Sequence, residues 1–297
     1  MLKGYLISSM TILTRLLVFK MEILFNELSL SGQFRNENEF ISRGLTTFLS
    51  VLKNFETHAA LLLKKSDTWS RNVSPASTLY DLITDSRFRK EDEIRRFKSE
   101  IAKLTTEPFW DSDSRQSAIT TYSKNGCNYK GTSIAEACER DKMLVSFVDS
   151  QHSYTPIDIL KNGSNVSLTN LTRHGELPEY LWRNESISFD VYIRSKYTKG
   201  KLDFSQVDPK IGFCCIKPNE ECQYLERFEL IESLSWDAIY SHTGLDYKQY
   251  HSQLASKYSF PTYKFRVSQK TRCHGYRSDN RFVVIGFESD HKLSDIG

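Results

Sequence analysis

The chain has 297 residues and a mass of 34.5 kDa, enough for two ordinary domains, each with its own core. Its 39% hydrophobic and 12% aromatic content, with only 13 Gly and 7 Pro, excludes a disordered, collagen-like or low-complexity protein and a membrane transporter. A formal net charge of +3 is too small to mark a nucleic-acid binder by itself, so electrostatic reasoning depends on where the charges sit.

The first 20 residues are apolar, but Arg15 interrupts the run before it reaches the roughly 20 residues a membrane span needs. Met21 opens the segment MEILFNELSL, which reads as the natural start, with residues 1–20 as a start-site extension; the alternative is a weak amphipathic anchor whose Arg15 and Lys20 would suit an anionic surface. A strand is expected from Met21 to about Leu30. Phe40, Leu45, Phe48, Leu49, Leu52 and Phe55 recur at helical spacing and predict an amphipathic helix over 37–56. The short run AALLL at 59–63 fits a buried strand, and Ser74-Pro75 breaks the pattern before a short packed element at Leu79, Leu82 and Ile83. A charged helix is expected from about Lys90 to Leu104, its Arg95, Arg96, Lys98 and Glu100 forming a solvated face.

Beyond Pro108, Ser133 is expected to cap a helix with Glu136 as its capping-box partner. LVSFV at 144–148 reads as a buried strand, and Asn162-Gly163 as a two-residue hairpin turn in which both residues accept positive φ. The least patterned stretch, 184–210, reads as a linker and puts a domain boundary near residue 205. The expected organisation is therefore residues 21–204 as a mixed α and β domain for sensing or partner binding, and residues 205–297 as a small basic domain. After the boundary IGFCCIK reads as a strand, 222–245 as a helical region, and DYKQYHSQLASKY as a further helix. Then YKFRV, RCHGYR and FVVIGFE read as three strands, with a turn at Ser278-Asp279-Asn280. The fold class is α+β, with the C-terminal helices packed on an antiparallel sheet.

Chemistry concentrates in the tail. Residues 246–297 hold nine Lys/Arg against five Asp/Glu, a balance of +4, so everything before them sums to −1. Three of the seven histidines, His251, His274 and His291, lie there too. Period-2 alternation puts Lys264 and Arg266 on one sheet face and Tyr263, Phe265 and Val267 on the other. Arg266 and Arg272 fall on successive strands, where a paired hairpin could aim both guanidinium forks at one phosphate. RNA cleavage through the 2′-hydroxyl needs an acid, a base and cations for the phosphorane; His274 and His291 could supply the first two. The bland alternative makes His274-Gly275 a bulge and the cations a solvated face.

The run YKFRVSQKTRCHGYRSDNRFVVIGFESDHKLSD resembles the C-terminal half of RelE- and HigB-type bacterial toxins, small RNA-cleaving domains with two helices packed on an antiparallel sheet. The resemblance covers about the last 35 residues and, more loosely, the last 90. It implies that Lys264 and Arg266 match the family's first-strand basic pair, Arg272 its second-strand arginine, and His291 and Lys292 its late basic residues; with the acid-base chemistry above, Arg272, His274 and His291 are the candidate catalytic residues and Lys264, Arg266 and Lys292 the candidate substrate-binding ones. The chain ends in SDIG without the late tyrosine of several members. The expectation is a cytoplasmic, metal-independent endoribonuclease of a toxin-antitoxin or antiviral defence system. It would need no cofactor, and its partners would be RNA or the ribosome and an antitoxin or defence-system protein. The competing expectation is a noncatalytic RNA- or protein-binding component.

Three other patterns are weaker. Asp190, Glu221, Glu226 and Glu229 lack a compact metal-nuclease spacing. The six cysteines contain no CxxC pair and read as reduced thiols, with Cys138 in a core and neither Cys138 nor Cys273 marked as a nucleophile. The sequons at Asn162, Asn165, Asn170 and Asn184 matter only in a secreted chain.

Overall fold

A computed structural model describes residues 21–85, 99, 106–251, 256, 258 and 260–289. The proposed extension 1–20 lies outside the described residues, as does all but Ser99 of the charged helix expected at 90–104. Among the described residues no helix is long and apolar enough to cross a membrane. The protein is α+β. It divides into two compact units: one holds the residues up to Thr46 and Phe55–Asn170, the other Thr47–Asn54 and everything from Leu171.

The first unit begins with β1 (Glu22–Phe25) and a 3-10 turn at Glu27–Ser29, so the opening strand is shorter than expected. A helical turn (Glu37–Glu39), a π-helical stretch (Phe40–Leu45) and the helix Thr46–Thr57 run on without a break, filling the expected 37–56. Gly44 lies in the π-helical stretch because the Phe34 ring occupies the space of its missing Cβ; any added carbon would sit 2.5 Å from Phe34 Cζ. Next come β2 (Leu61–Leu63), the small hairpin β3 (Asn72–Ser74) and β4 (Ser77–Thr78), and the helix Leu79–Thr84, capped at Thr78 by reciprocal bonds with Asp81.

Strands β5 (Tyr122–Lys124) and β6 (Cys127–Asn128) precede the helix Ser133–Arg140, which leads to β7 (Met143–Val145). The cap of that helix is Thr132, not Ser133; the Thr132 hydroxyl accepts from the Ala135 N–H at 3.4 Å. Ser133 is committed elsewhere, its N–H donating to the Glu27 carboxylate at 3.1 Å and its hydroxyl accepting from Trp110 Nε1 at 2.8 Å. Glu136 likewise turns away from the cap to accept from Arg140 Nε at 2.7 Å.

The hairpin β8 (Ile157–Lys161) and β9 (Ser164–Leu168) turns at Asn162 (φ 49°) and Gly163 (φ 83°), as the Asn-Gly pair predicts. Strand β10 is Asn170–Leu171. The sheet order is β10-β7-β1-β2, with β1 parallel to both neighbours, and a second sheet runs β6-β5-β8-β9. Leu24, Leu63, Trp110, Tyr122, Ile134 and Leu144 lie in one buried cluster with residues of both sheets.

The second unit includes the helices Glu176–Arg183 and Phe189–Lys196, the second of which lies in the stretch expected to be a linker. Phe189, Tyr192 and Ile193 are buried in its core, which is why this unit starts at Leu171 rather than near residue 205. After β11 (Leu202–Asp203), the expected strand IGFCCIK is instead a 3-10 turn at Phe213–Cys215. The helices Glu221–Ser233 and Trp236–Ser241 fulfil the helical region. The further helix expected from Asp246 is not formed at its start: Lys248–Gln249 is strand β12, which pairs with the next strand.

The three C-terminal strands are β13 (Tyr263–Arg266), β14 (Arg272–Ser278) and β15 (Arg281–Glu288), with the turn at Ser278 to Arg281 where the sequence puts it. Together they make a sheet of order β11-β15-β14-β13-β12, antiparallel except for β11 against β15. Tyr224, Leu225, Phe228 and Ile231 of the helix Glu221–Ser233 share a core with Phe265, Val267, Cys273, Phe282, Val284 and Phe287 of this sheet. Each such side chain contributes roughly 1.5–3 kcal/mol when fully buried.

Candidate functional site

Strand pairing assembles the candidate site. The antiparallel register sets Lys264 opposite His274, Arg266 opposite Arg272, and Arg272 opposite Glu288. Directly opposed residues share a face, and alternate residues of one strand do too, so Lys264, Arg266, Arg272, His274 and Glu288 all lie on one side. The opposite side carries Phe265, Val267, Cys273 and Phe287 into the core. Strand β12 adds Lys248 across from Lys264. The two-sidedness expected from YKFRV is thus present, with Tyr263 partly buried against the core and stacked on Tyr247 at 5.2 Å.

At the centre is His274, which is fully buried and has both ring nitrogens engaged. Nε2 lies 3.0 Å from Glu288 Oε2 and Nδ1 2.7 Å from the Tyr250 hydroxyl, and in the tautomer protonated on Nε2 the ring donates to the carboxylate and accepts from the phenol. Burial holds the imidazole pKa below its ordinary value; Glu288 opposes that shift, and Lys264 and Arg272 add to it. The ring is therefore neutral at pH 7. Immediately after it the β14–β15 register shifts, and Gly275 fills the irregular position because a Cβ there would collide with the Val283 carbonyl oxygen. The bulge reading of His274-Gly275 is correct in geometry.

The cations do not present themselves as a simple phosphate-binding row. Arg272 is only 8% exposed, and its Nη1 donates to the carbonyls of Ser268 (2.7 Å), Thr271 (2.9 Å) and Gln269 (3.3 Å), holding the β13–β14 turn. Lys264 is equally buried, its Nζ 5.4 Å from the centre of the Tyr250 ring. Arg266 and Lys248 are the accessible ones, with side chains 42% and 55% exposed, and Arg266 Nη2 lies 3.1 Å from Asp246 Oδ2. Asp246 also takes Lys248 at 3.1 Å, and these cations help hold its carboxyl below the usual range against the opposing effect of burial. The idea that Arg266 and Arg272 aim at one phosphate fails for Arg272, whose guanidinium is turned onto backbone. His291 and Lys292 lie outside the described residues.

Glu288, Tyr250 and Asp246 belong to this face and were missed from sequence. Glu288 could have been found, since it closes the alternating run FVVIGFE; Tyr250 was hidden by the helix expected across it. The remaining candidates are dispersed. Glu221 accepts from Trp182 Nε1 at 2.8 Å, Glu229 pairs with Lys196 at 2.5 Å, and Asp190 accepts from Ser188, so these carboxylates serve separate local contacts. Burial pushes the Cys138 thiol up to about 12 and raises that of the fully buried Cys273, which removes both as thiolate nucleophiles at neutral pH.

Chemically, the face combines four cations (Lys248, Lys264, Arg266, Arg272) with two carboxylates (Asp246, Glu288), an excess of positive charge beside a neutral, fixed imidazole. It is equipped to hold anions at its Arg266 edge and, if opened, to relay a proton along Tyr250, His274 and Glu288. No protein-family model, curated protein or solved structure matches the chain.

Proposed function

We propose that the chain is a cytoplasmic RNA-binding component of a toxin or anti-phage defence system, holding RNA phosphates along the polar face of its C-terminal sheet. The observation that carries this reading is the exposed pair Lys248 and Arg266, set on one face of neighbouring strands by the register, with the buried Lys264 and Arg272 adding positive charge behind them. Binding is favoured over cleavage because His274 is buried and both its nitrogens already have partners. Phosphate binding of this kind releases counterions and weakens with salt.

A second reading, metal-independent RNA cleavage of RelE/HigB type, is favoured by the hydrogen-bonded chain Tyr250–His274–Glu288 beside cations. It requires His274 to become accessible to substrate. One pair of assays separates the two: RNA affinity as a function of salt, and cleavage of end-labelled RNA in the presence of a chelator. Binding without cleavage, with Arg266→Ala lowering the salt slope by about one unit, supports the first reading. Cleavage abolished by His274→Gln in a folded protein supports the second. A wild-type chain with no RNA affinity at low salt and no cleavage overturns both.

A further inference from the structure

The first unit has a crevice of its own, where its parallel strands end. Strand β1 is parallel to β2 on one side and β7 on the other, so β1 and β7 deliver their outgoing segments to the same end of the sheet. The next strand of this sheet after β1 is β2 and the next after β7 is β10, at opposite edges. Adjacent parallel strands whose connections diverge in this way leave a gap beyond their carboxyl ends, the usual ligand position in open α/β sheets.

The segments entering that gap are held by an internal network. The Asn26 amide donates to Ser146 Oγ at 2.9 Å, the Ser146 hydroxyl donates to Asn170 Oδ1 at 2.7 Å, and Phe147 N–H donates to Ser29 Oγ at 3.0 Å. Two adjoining cavities, of about 430 and 530 Å³, open beside them and share Leu28, Gln151 and His152. Their other walls differ in character. The first is lined by Arg71, Asn72, Ser70 and Asp67. In the second, Tyr129 meets the His152 ring edge-on at 5.9 Å, and Lys124 lies 4.2 Å from the centre of the Tyr154 ring, among the amides Asn125 and Asn128.

Polar capacity in these walls is unspent. His152 Nδ1, Arg71 Nε and Asp67 Oδ1 are buried atoms with no hydrogen-bond partner among the described residues. Arg71 spends only one donor on a side chain, a 3.3 Å contact from Nη2 to Asp67 Oδ2. Two cations, Arg71 and Lys124, face a single carboxylate in the combined lining. Burial and Lys124 together keep the His152 pKa low, so the imidazole is an uncharged aromatic wall at neutral pH.

We propose that this crevice is a binding site for a nucleoside 5′-phosphate, with the base against Tyr129, His152 and Tyr154 and the phosphate toward Arg71. An aromatic half furnished with amides suits a base with polar edges, and a guanidinium with free donors suits a phosphate. Either cavity alone falls within the size range of small-ligand sites. The site is confined to the first unit and is independent of the RNA reading of the second.

Calorimetric titration of the full chain tests this, using the four nucleoside 5′-monophosphates and their triphosphates, with adenosine and inorganic phosphate as controls. At least one nucleotide is expected to bind with Kd of about 100 μM or tighter. Arg71→Gln should weaken it at least ~10-fold by removing the phosphate contact. Tyr154→Leu, at an exposed side chain whose loss leaves the fold intact, should weaken it by a similar ~10-fold through lost stacking. Arg266→Gln in the second unit should leave it unchanged, which separates failure here from failure of the RNA proposal. The proposal is overturned if no nucleotide in the panel binds at about 5 mM, if inorganic phosphate binds as tightly as the best nucleotide, or if binding survives both Arg71→Gln and Tyr154→Leu.

Discussion

His274 joins two buried residues, and its removal has a defined cost. His274→Ala deletes a buried hydrogen-bond partner of both Glu288 and Tyr250, so the unfolding free energy should fall by about 1–3 kcal/mol, measured by urea denaturation. The same residue sets a pH dependence. Its folded pKa is depressed by burial below the unfolded value of about 6.5, so the unfolded chain takes up the proton first. Stability from this group is therefore complete above pH ~6.5 and declines as pH falls below it. His58 and His152 are depressed as well, again with burial as the largest cause. The check is the difference between wild type and His274→Gln, whose denaturation midpoints should converge as the pH drops toward ~5. At this scale Lys264 and Arg266 were legible in sequence as members of one polar face, because a two-residue period needs only the strand, whereas placing His274 beside them needs the strand register. Arg272's commitment to three carbonyls was not legible, since it depends on how tightly the 268–271 turn closes.

The helix Ser133–Arg140 shows what local signals can and cannot fix. Thr132 and Ser133 are both competent caps, and the sequence favours Ser133 because Glu136 follows at capping-box spacing. Tertiary partners reverse the choice, as Glu27 and Trp110 claim Ser133, and Ser114 and Arg115 donate to the Glu136 carboxylate. Thr132→Ala should cost about 1 kcal/mol through the lost cap. Ser133→Ala should cost more, about 1–3 kcal/mol, by leaving the Trp110 indole N–H unpartnered in a buried site. Thermal unfolding would rank the two, and a shift in tryptophan emission confined to Ser133→Ala would identify Trp110 as the group affected. Elements defined by their own chemistry were readable: the Asn162-Gly163 turn, the 37–56 helix, the three C-terminal strands. Segments whose conformation depends on a distant partner were not. Lys248–Gln249 looks helical by composition and is a strand because β13 offers it an edge.

For the whole molecule, the α+β class was readable from alternating periodicities, but the division of the chain was not. Residues 184–210 are polar enough to pass for a linker, yet Phe189, Tyr192, Ile193 and Leu202 supply the core of the second unit. A fragment beginning at residue 205 lacks all four, and circular dichroism with proton NMR should find it unfolded. A fragment beginning at Leu171 keeps them but lacks Thr47–Asn54, where the Ser50 carbonyl and the Asn54 amide meet His174 Nδ1 at 3.0 and 3.3 Å. It should unfold at a lower urea concentration than the intact chain. That discontinuity has a consequence during synthesis. Residues 47–54 leave the ribosome early, and the stretch Phe55–Asn170 must follow before the rest of their own unit begins to appear. At ordinary elongation rates of about 5–20 residues per second the delay is on the order of ten seconds. Through that interval Phe48, Val51 and Leu52, all buried in the finished chain, precede most of the unit they belong to, which makes this short segment a natural client for a nascent-chain chaperone.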